Sequence, residues 1–347
     1  MTTPVSTLDR VLADPNWFPD DFDSEKGDIR FAEVTRDQLA AQSFLDRRWN
    51  RSSLRRGRVH LSAVGEKLAG KAPPNNLRFI WHTGFCCSTL LARALNAPGR
   101  NLSLCEPQLL MYATEVKRER EMRPDLSELP DIAFALLSRG FAPEELVTIK
   151  PAPFVNYLVP EAMALPQSRH LFLYSDCESF LVSALRRETE GASYIRSMLE
   201  NMRRNGIASE WTDEKILALP PLRATALLWH MEVAELRKNE RGARSLDCDA
   251  FLADPETVLN AMDEFFALGL GPDHIRTVVE GPLFRQDSKN PAAEFNTARR
   301  REIQEAARRQ IGAQLNDAIS WSYEIFPDTP RGAPFSTPLV PIEKAYA

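Results

Sequence analysis

The chain has no apolar run near the roughly 18 residues that a membrane-spanning helix needs, so no membrane span is expected in it. Its first 25 residues lack a basic start followed by an apolar stretch, and no secretory signal is expected there. Cysteine is sparse: five in 347 residues, an odd number that suggests reduced thiols in the cytosol rather than a disulfide framework. Histidine is equally sparse, and His60, His170 and His274 have no acidic or histidine partner at ligand spacing, so no metal site is expected. An excess of basic charge is also missing. The net charge of −5 argues against a general nucleic-acid binder, although a local basic groove is compatible with it. No G-x-S-x-G elbow occurs, which removes the usual signature of a Ser-His-Asp hydrolase on an α/β sheet.

What is present is concentrated in Leu77 to Leu95, LRFIWHTGFCCSTLLARAL. A short apolar run stops at His82-Thr83-Gly84, the hydroxyl pair Ser88-Thr89 follows, and Leu90 to Leu95 are strong helix formers at helical spacing. This is the layout of strand, tight turn and helix start. Such a turn aims backbone N–H groups and the positive end of a helix dipole at one point, where phosphate or sulfate binds. The Gly-Lys-Ser/Thr ending of nucleotide triphosphatases is absent, so the loop supplies no lysine of its own. Cys86 and Cys87 read as small residues that let the backbone approach an anion.

From Leu77 onward, apolar strands alternate with amphipathic helices. Strands are expected at Leu77–Trp81, Leu102–Leu104, Leu146–Ile149, His170–Tyr174 and Ser245–Asp247. Helices are expected between them, among them Gln108–Arg118, Ser179–Glu188, Ser193–Arg204 and Leu222–Arg237. Alternation of this kind predicts an α/β fold: three layers, α/β/α, with a central, mainly parallel sheet. Residues 1–75 read as a helical N-terminal extension, 76–327 as the α/β domain, and 328–347 as a proline-containing tail that wraps or frays. The cluster Arg47, Arg48, Arg51, Arg55, Arg56 and Arg58 reads most simply as a solvated face, with a docking surface as the lesser alternative.

In a doubly wound fold, ligands bind beyond the carboxyl ends of the strands. Thr83, Gly84, Phe85, Cys86, Cys87, Ser88 and Thr89 follow the first expected strand, and Glu106 follows the second. Lys150 ends the third, Ser175 and Asp176 the fourth, Asp247 and Asp249 the fifth. Glu106 has two readings: a proton acceptor whose affinity is tuned by burial, or a charge at the start of the helix from Gln108. His82 reads as a strand-end residue rather than a base, and His230 as a core or pocket histidine.

These segments resemble the sulfotransferases that use 3′-phosphoadenosine 5′-phosphosulfate. FIWHTGFCCSTLLARAL resembles their 5′-phosphosulfate loop, usually Pro-Arg/Lys-Ser-Gly-Thr-Thr/Ser-Leu-Leu. RHLFLYSDCESFLVSALRR resembles their second signature, a strand followed by Arg-Asp/Asn-Pro and a later serine. SLDCDAFLADPETVLNAMDEFFALGL resembles their strand, Asp-Leu-x-x-Asp-Pro and helix. The resemblance spans about Leu77 to Lys289 and implies a P-loop-containing, sulfotransferase-like fold. It also implies transfer of a sulfuryl group to a hydroxyl or amine on a small-molecule or protein acceptor, without a metal. It assigns the 5′-phosphosulfate to Thr83–Thr89, the 3′-phosphate to Ser175, Ser183 and Arg187, donor closure to Lys289, the base to Glu106 and charge compensation to Lys150. The departures fall on cations: Phe85 stands where the loop Arg or Lys is expected, and Ser175 where the second signature has Arg. Arg186 and Arg285 are further candidates to supply the missing charge. Acceptor contacts are expected within 110–140 and 190–220, with Met198, Met202 and Trp211 as apolar candidates. Two other readings remain at this point. One is a kinase-like nucleotide-dependent transferase holding magnesium on Asp176, Asp247 and Asp249. The other is a non-catalytic protein that binds the ligand on the same scaffold.

Overall fold

A computed structural model describes residues 7–186, 188–208, 210–285 and 297–341; for residues 7, 188–190 and 297–301 it describes the backbone alone. Five strands form one sheet: β4 (Leu77–His82), β5 (Asn101–Cys105), β6 (Leu146–Lys150), β7 (Arg169–Tyr174) and β8 (Arg244–Asp247), after three earlier strands, β1 (Trp17–Asp23), β2 (Asp28–Glu33) and β3 (Arg56–His60). The sheet order is β5-β6-β4-β7-β8, and every pairing is parallel. All six residues of β4 are buried, as expected for a central parallel strand covered on both faces. Its one charge, Arg78, is satisfied by the carbonyls of Phe266 (2.7 Å), Leu77 (2.9 Å) and Gln167 (3.1 Å).

Strand alternation splits the apolar side chains into two layers. Phe79, Trp81, Val147, Ile149 and Phe172 face one core, while Ile80, Leu171, Leu173 and Leu246 face the other. Helices close both sides, which gives the three-layer α/β/α architecture. Asp254 caps the helix Pro255–Phe266 by accepting from Thr257 N (3.1 Å), with Pro255 at the first helical position.

The N-terminal region departs from expectation. Instead of a helical extension it holds an antiparallel sheet, β1-β2-β3, with short helices at Thr7–Ala13, Arg36–Ala41 and Leu61–Leu68. Its apolar residues Trp17, Phe18, Ile29 and Phe31 share one buried cluster with Phe79, Phe134 and Leu137 of the α/β part. The arginine cluster is not a uniformly solvated face either. Arg51, with a side chain only 10% exposed, reaches the buried Asp20, which Arg56 also pairs at 3.0 Å. The tail is docked: Ser245 N donates to Thr337 O (2.8 Å), and Leu339 N donates back to Ser245 O (2.7 Å).

Candidate functional site

The turn after β4 keeps the form of an anion-binding loop without that loop's glycines. Gly84 is the one glycine in it, and space requires it: a Cβ there would stand 2.8 Å from the Tyr194 hydroxyl and 3.1 Å from Phe180. Phe85 (φ 58°) and Cys87 (φ 60°) adopt the left-handed conformation that glycine usually supplies. Glu106, at the end of β5, does the same with φ 53°. Left-handed non-glycine residues cost on the order of 1–3 kcal/mol each and gather at functional sites. Three such residues around one cavity therefore mark the place where the fold carries strain.

That cavity has a volume of about 380 Å³. It is lined by Gly84 to Thr89, by Phe44, Asp46 and Arg48, and by Tyr194, Ser197, Met198 and Asn201. The lining includes the start of the helix Ser88–Ala94. The Thr89 hydroxyl is buried there with no hydrogen-bond partner, a costly arrangement that a bound anion would relieve. Cys86 is buried, its thiol donating to Thr83 O (3.0 Å), and burial pushes its pKa up to about 12. It is a packing residue and no nucleophile. None of the five cysteines is in a disulfide.

The charge that the loop lacks stands beside it. Glu106 pairs with Lys150 through one carboxylate oxygen and with Arg48 Nη2 (2.5 Å) through the other. Arg48 also holds Asp46, with Nε 2.9 Å from both carboxylate oxygens, and lies 3.4 Å above the Phe44 ring. Burial works to raise the proton affinity of Glu106, but Lys150 and Arg48 together outweigh it and hold the carboxyl down at about 2. In this arrangement Glu106 is an ion-pair partner and not a base. His82 is engaged too: Nδ1 lies 2.6 Å from Thr83 O and Nε2 2.9 Å from Pro151 O. Burial, helped by Lys150, pushes its pKa down to about 3, against the pull of these two carbonyls.

Beneath the loop sits a second carboxyl. Glu232, on the helix Pro221–Arg237, is fully buried, accepts from Gly84 N (2.8 Å) and lies 3.5 Å from the Tyr194 hydroxyl. Burial raises its pKa to about 8, against the pull of these two hydrogen bonds. The Gly84 N–H is therefore taken and does not face an anion.

The structure brings Gly84, Phe85, Cys86, Cys87, Ser88, Thr89 and Glu106 to one cavity, with Lys150 against Glu106. Phe85 packs between Phe180 and Tyr194, both at 5.2 Å between ring centroids, so no cation replaces it in place. Thr83 is buried, with its hydroxyl 3.5 Å from Gly84 O, and lies off the cavity lining. Ser175 and Ser183 are also off the lining; Ser175 is fully buried with an unpartnered hydroxyl. Arg187 and Lys289 lie outside the described residues, and Arg186 and Arg285 are exposed. Of the apolar acceptor candidates only Met198 reaches the cavity; Met202 is core, and Trp211 packs against Trp321. Asp176 and Asp247 spend their carboxylates on helix starts, accepting from Ser179 N (2.9 Å) and Asp249 N (2.6 Å). Among the described residues no group of three acidic, histidine or cysteine side chains is arranged to hold a metal. Arg48, Asp46, Phe44 and Glu232 were not expected at the site, while Tyr194 falls in the 190–220 segment where acceptor contacts were expected. Glu232 had a visible signal, a lone acid in the apolar helical stretch Leu227 to Val233.

No protein-family model matches the sequence, and no curated protein does. Among solved structures the chain is similar to sulfotransferase domains. One is the domain of the curacin biosynthetic pathway, at 15% identity over 77% of this chain and all of that one, with a TM-score of 0.43. Another belongs to the Synechococcus PCC 7002 olefin synthase: 16% identity, 74% and 96% of the two chains, TM-score 0.43. A third is a sulfotransferase from Alicyclobacillus acidocaldarius: 18% identity, 72% and 96% coverage, TM-score 0.36. The likeness is one of shape, and the chemistry has to be argued from the residues of this chain.

Proposed function

We propose that the protein is a sulfotransferase, moving a sulfuryl group in line from 3′-phosphoadenosine 5′-phosphosulfate to a hydroxyl or amine. The observation that carries this reading is the loop with its left-handed Phe85 and Cys87, which lines one cavity together with Arg48 and with Thr89, whose hydroxyl is buried without a partner. A hydroxyl donor with an arginine and a lysine close by suits a phosphosulfate. The donor would supply an activated sulfuryl group. Thr89 and Ser88 would hold its 5′ end, with Arg48 and Lys150 as the nearest cations. At the other end, the buried Ser175 hydroxyl, which has no partner, is compatible with a 3′-phosphate; Ser183 and Arg187 complete that side of the reading. The acceptor body would rest against Phe44, Met111, Phe154 and Met198. The kinase-like reading gains nothing from Asp176 and Asp247, whose carboxylates already cap helices.

The test is calorimetric titration with 3′-phosphoadenosine 5′-phosphate. Wild type is expected to bind in the micromolar range. Thr89→Val, which removes the hydroxyl at nearly constant shape, should weaken binding by about tenfold, the worth of one hydrogen bond to a charged group. No binding by a folded wild type overturns the reading.

A further inference from the structure

We infer that Arg48 is held in reserve on Glu106, and that an anionic donor draws it away and so raises the readiness of Glu106 to take the proton of the acceptor. This rests on the donor reading above.

The placement of Arg48 is built in. The segment that carries it is pinned to the end of β5 by three hydrogen bonds: Leu45 N to Cys105 O (2.7 Å), Gln108 N to Leu45 O (3.1 Å) and Arg47 N to the Gln108 side-chain oxygen (3.2 Å). The N-terminal region thereby delivers a guanidinium to the cavity at a point where the loop itself offers only Phe85. Two cations, Arg48 and Lys150, face two carboxylates, Glu106 and Asp46. The cluster is balanced while the cavity holds no anion. A phosphosulfate on the loop adds negative charge to a set of cations already fully committed, and a guanidinium prefers a two-toothed grip on such a group. Arg48 has the freedom to change partner: its side chain is 52% exposed, against 1% for Lys150.

The consequence for Glu106 follows from what surrounds it. Lys150 on β6, Arg48 with its partner Asp46, His82 on β4 and the Tyr194 ring are the charged and titratable groups facing it. Of these, only Arg48 and Lys150 hold its proton affinity down strongly. When Arg48 turns to the donor, one of the two cations that oppose burial is gone, and that affinity rises. In the transfer, the acceptor oxygen forms its bond to sulfur as the bond between sulfur and the 5′-phosphate oxygen breaks. The electron pair of the broken bond stays on the phosphate, next to Arg48 and Lys150, and the acceptor's proton passes to Glu106. Before donor binding Glu106 is quenched, so an acceptor that arrives first is not deprotonated.

Proton linkage tests this. 3′-Phosphoadenosine 5′-phosphate is titrated calorimetrically at about pH 5 in two buffers of different ionisation enthalpy, into wild type and Glu106→Gln. Wild type is expected to take up more protons than Glu106→Gln, and Arg48→Met to bind about tenfold more weakly without that excess. Equal uptake by wild type and Glu106→Gln, with both binding, overturns the inference and leaves the donor reading standing. If neither binds, the donor reading falls. Sodium sulfate then serves as the probe, and the infrared carboxyl difference between wild type and Glu106→Gln is compared with and without it. A protonated-carboxyl band that grows with sulfate supports the exchange of partners; its absence overturns it.

Discussion

Two carboxyls meet the loop, and their surroundings drive them in opposite directions. Glu106 is held down at about 2 because burial is outweighed by two cations, while burial raises Glu232 to about 8 against two hydrogen bonds alone. Glu232 accepts from Gly84 N–H through one oxygen and, at 3.5 Å, from the Tyr194 hydroxyl through the other; once protonated, a carboxyl offers one acceptor oxygen and one O–H donor. The glutamine side chain has the same acceptor and donor pattern. The sign of the pH effect follows. A carboxyl whose folded pKa lies above its unfolded value of 4.5 gives its full stability below that value and loses it as pH rises to about 8. Glu232→Gln should therefore match wild type near pH 4.5 and exceed it by a margin that grows to about 4 kcal/mol by pH 8. Urea midpoints measured across that range check it; a margin that stays flat with pH would mean that Glu232 is ionised in the native state. Glu106 and Lys150 were legible in the sequence because strand ends in this fold converge. Arg48 was not, since nothing in a run of arginines says which one folds inward.

The loop, β4 and the helix Glu188–Arg204 form a unit whose contacts pass through Gly84. The Tyr194 hydroxyl and the Phe180 ring close over it, and Phe85 fills the space between the two rings. Gly84→Ala would place a methyl group 2.8 Å from a hydroxyl oxygen whose ring is buried and lies near Glu232. Overpacking of this kind costs about 1–3 kcal/mol. Because the strain falls on the wall of the cavity, donor affinity should drop along with stability. Thermal melts and the calorimetric titration together check this; an unchanged melt would show that Tyr194 swings aside freely. The five parallel strands were readable because short, mostly apolar segments such as Leu77–His82 and Arg169–Tyr174 alternate with helical stretches. The strands β1 to β3 were not. Trp17–Asp23 carries a proline and three aspartates in seven residues. Arg56–His60 has two arginines and a histidine exposed, and its partner faces are recognisable only once the sheet is assembled. The short helices Asp213–Leu217 and Pro272–Glu280 likewise offered too few turns for a periodicity.

At the scale of the whole molecule, the boundary drawn near residue 75 from Pro73-Pro74-Asn75-Asn76 is a boundary of chain and not of core. The cluster that buries Phe79 and Phe134 also buries Val11, Trp17, Phe31 and Leu39. Polar ties cross at the same place. Arg139 donates to the carbonyls of Val11 (2.8 Å) and Trp17 (2.6 Å), and Arg36 pairs with the fully buried Glu145 at 2.7 Å. Removing residues 1–75 would bare the apolar surface that this region covers and strip Arg139 and Glu145 of their N-terminal partners, leaving Arg139 only Leu136 O and Glu145 only the N–H groups of Gly99 and Phe141. Together these losses rival the whole margin of about 5–15 kcal/mol by which a typical domain is stable. The fragment 76–347 should therefore fail to fold. The full chain should unfold in one step, with near-ultraviolet and far-ultraviolet circular dichroism losing signal at the same urea concentration. Two separated transitions, or a soluble fragment 76–347 with a cooperative melt, would mean that the N-terminal sheet is an independent unit. Arg48 would then be carried to the cavity by a detachable part, and a fragment lacking it should still bind the nucleotide through Thr89, about tenfold more weakly than the full chain.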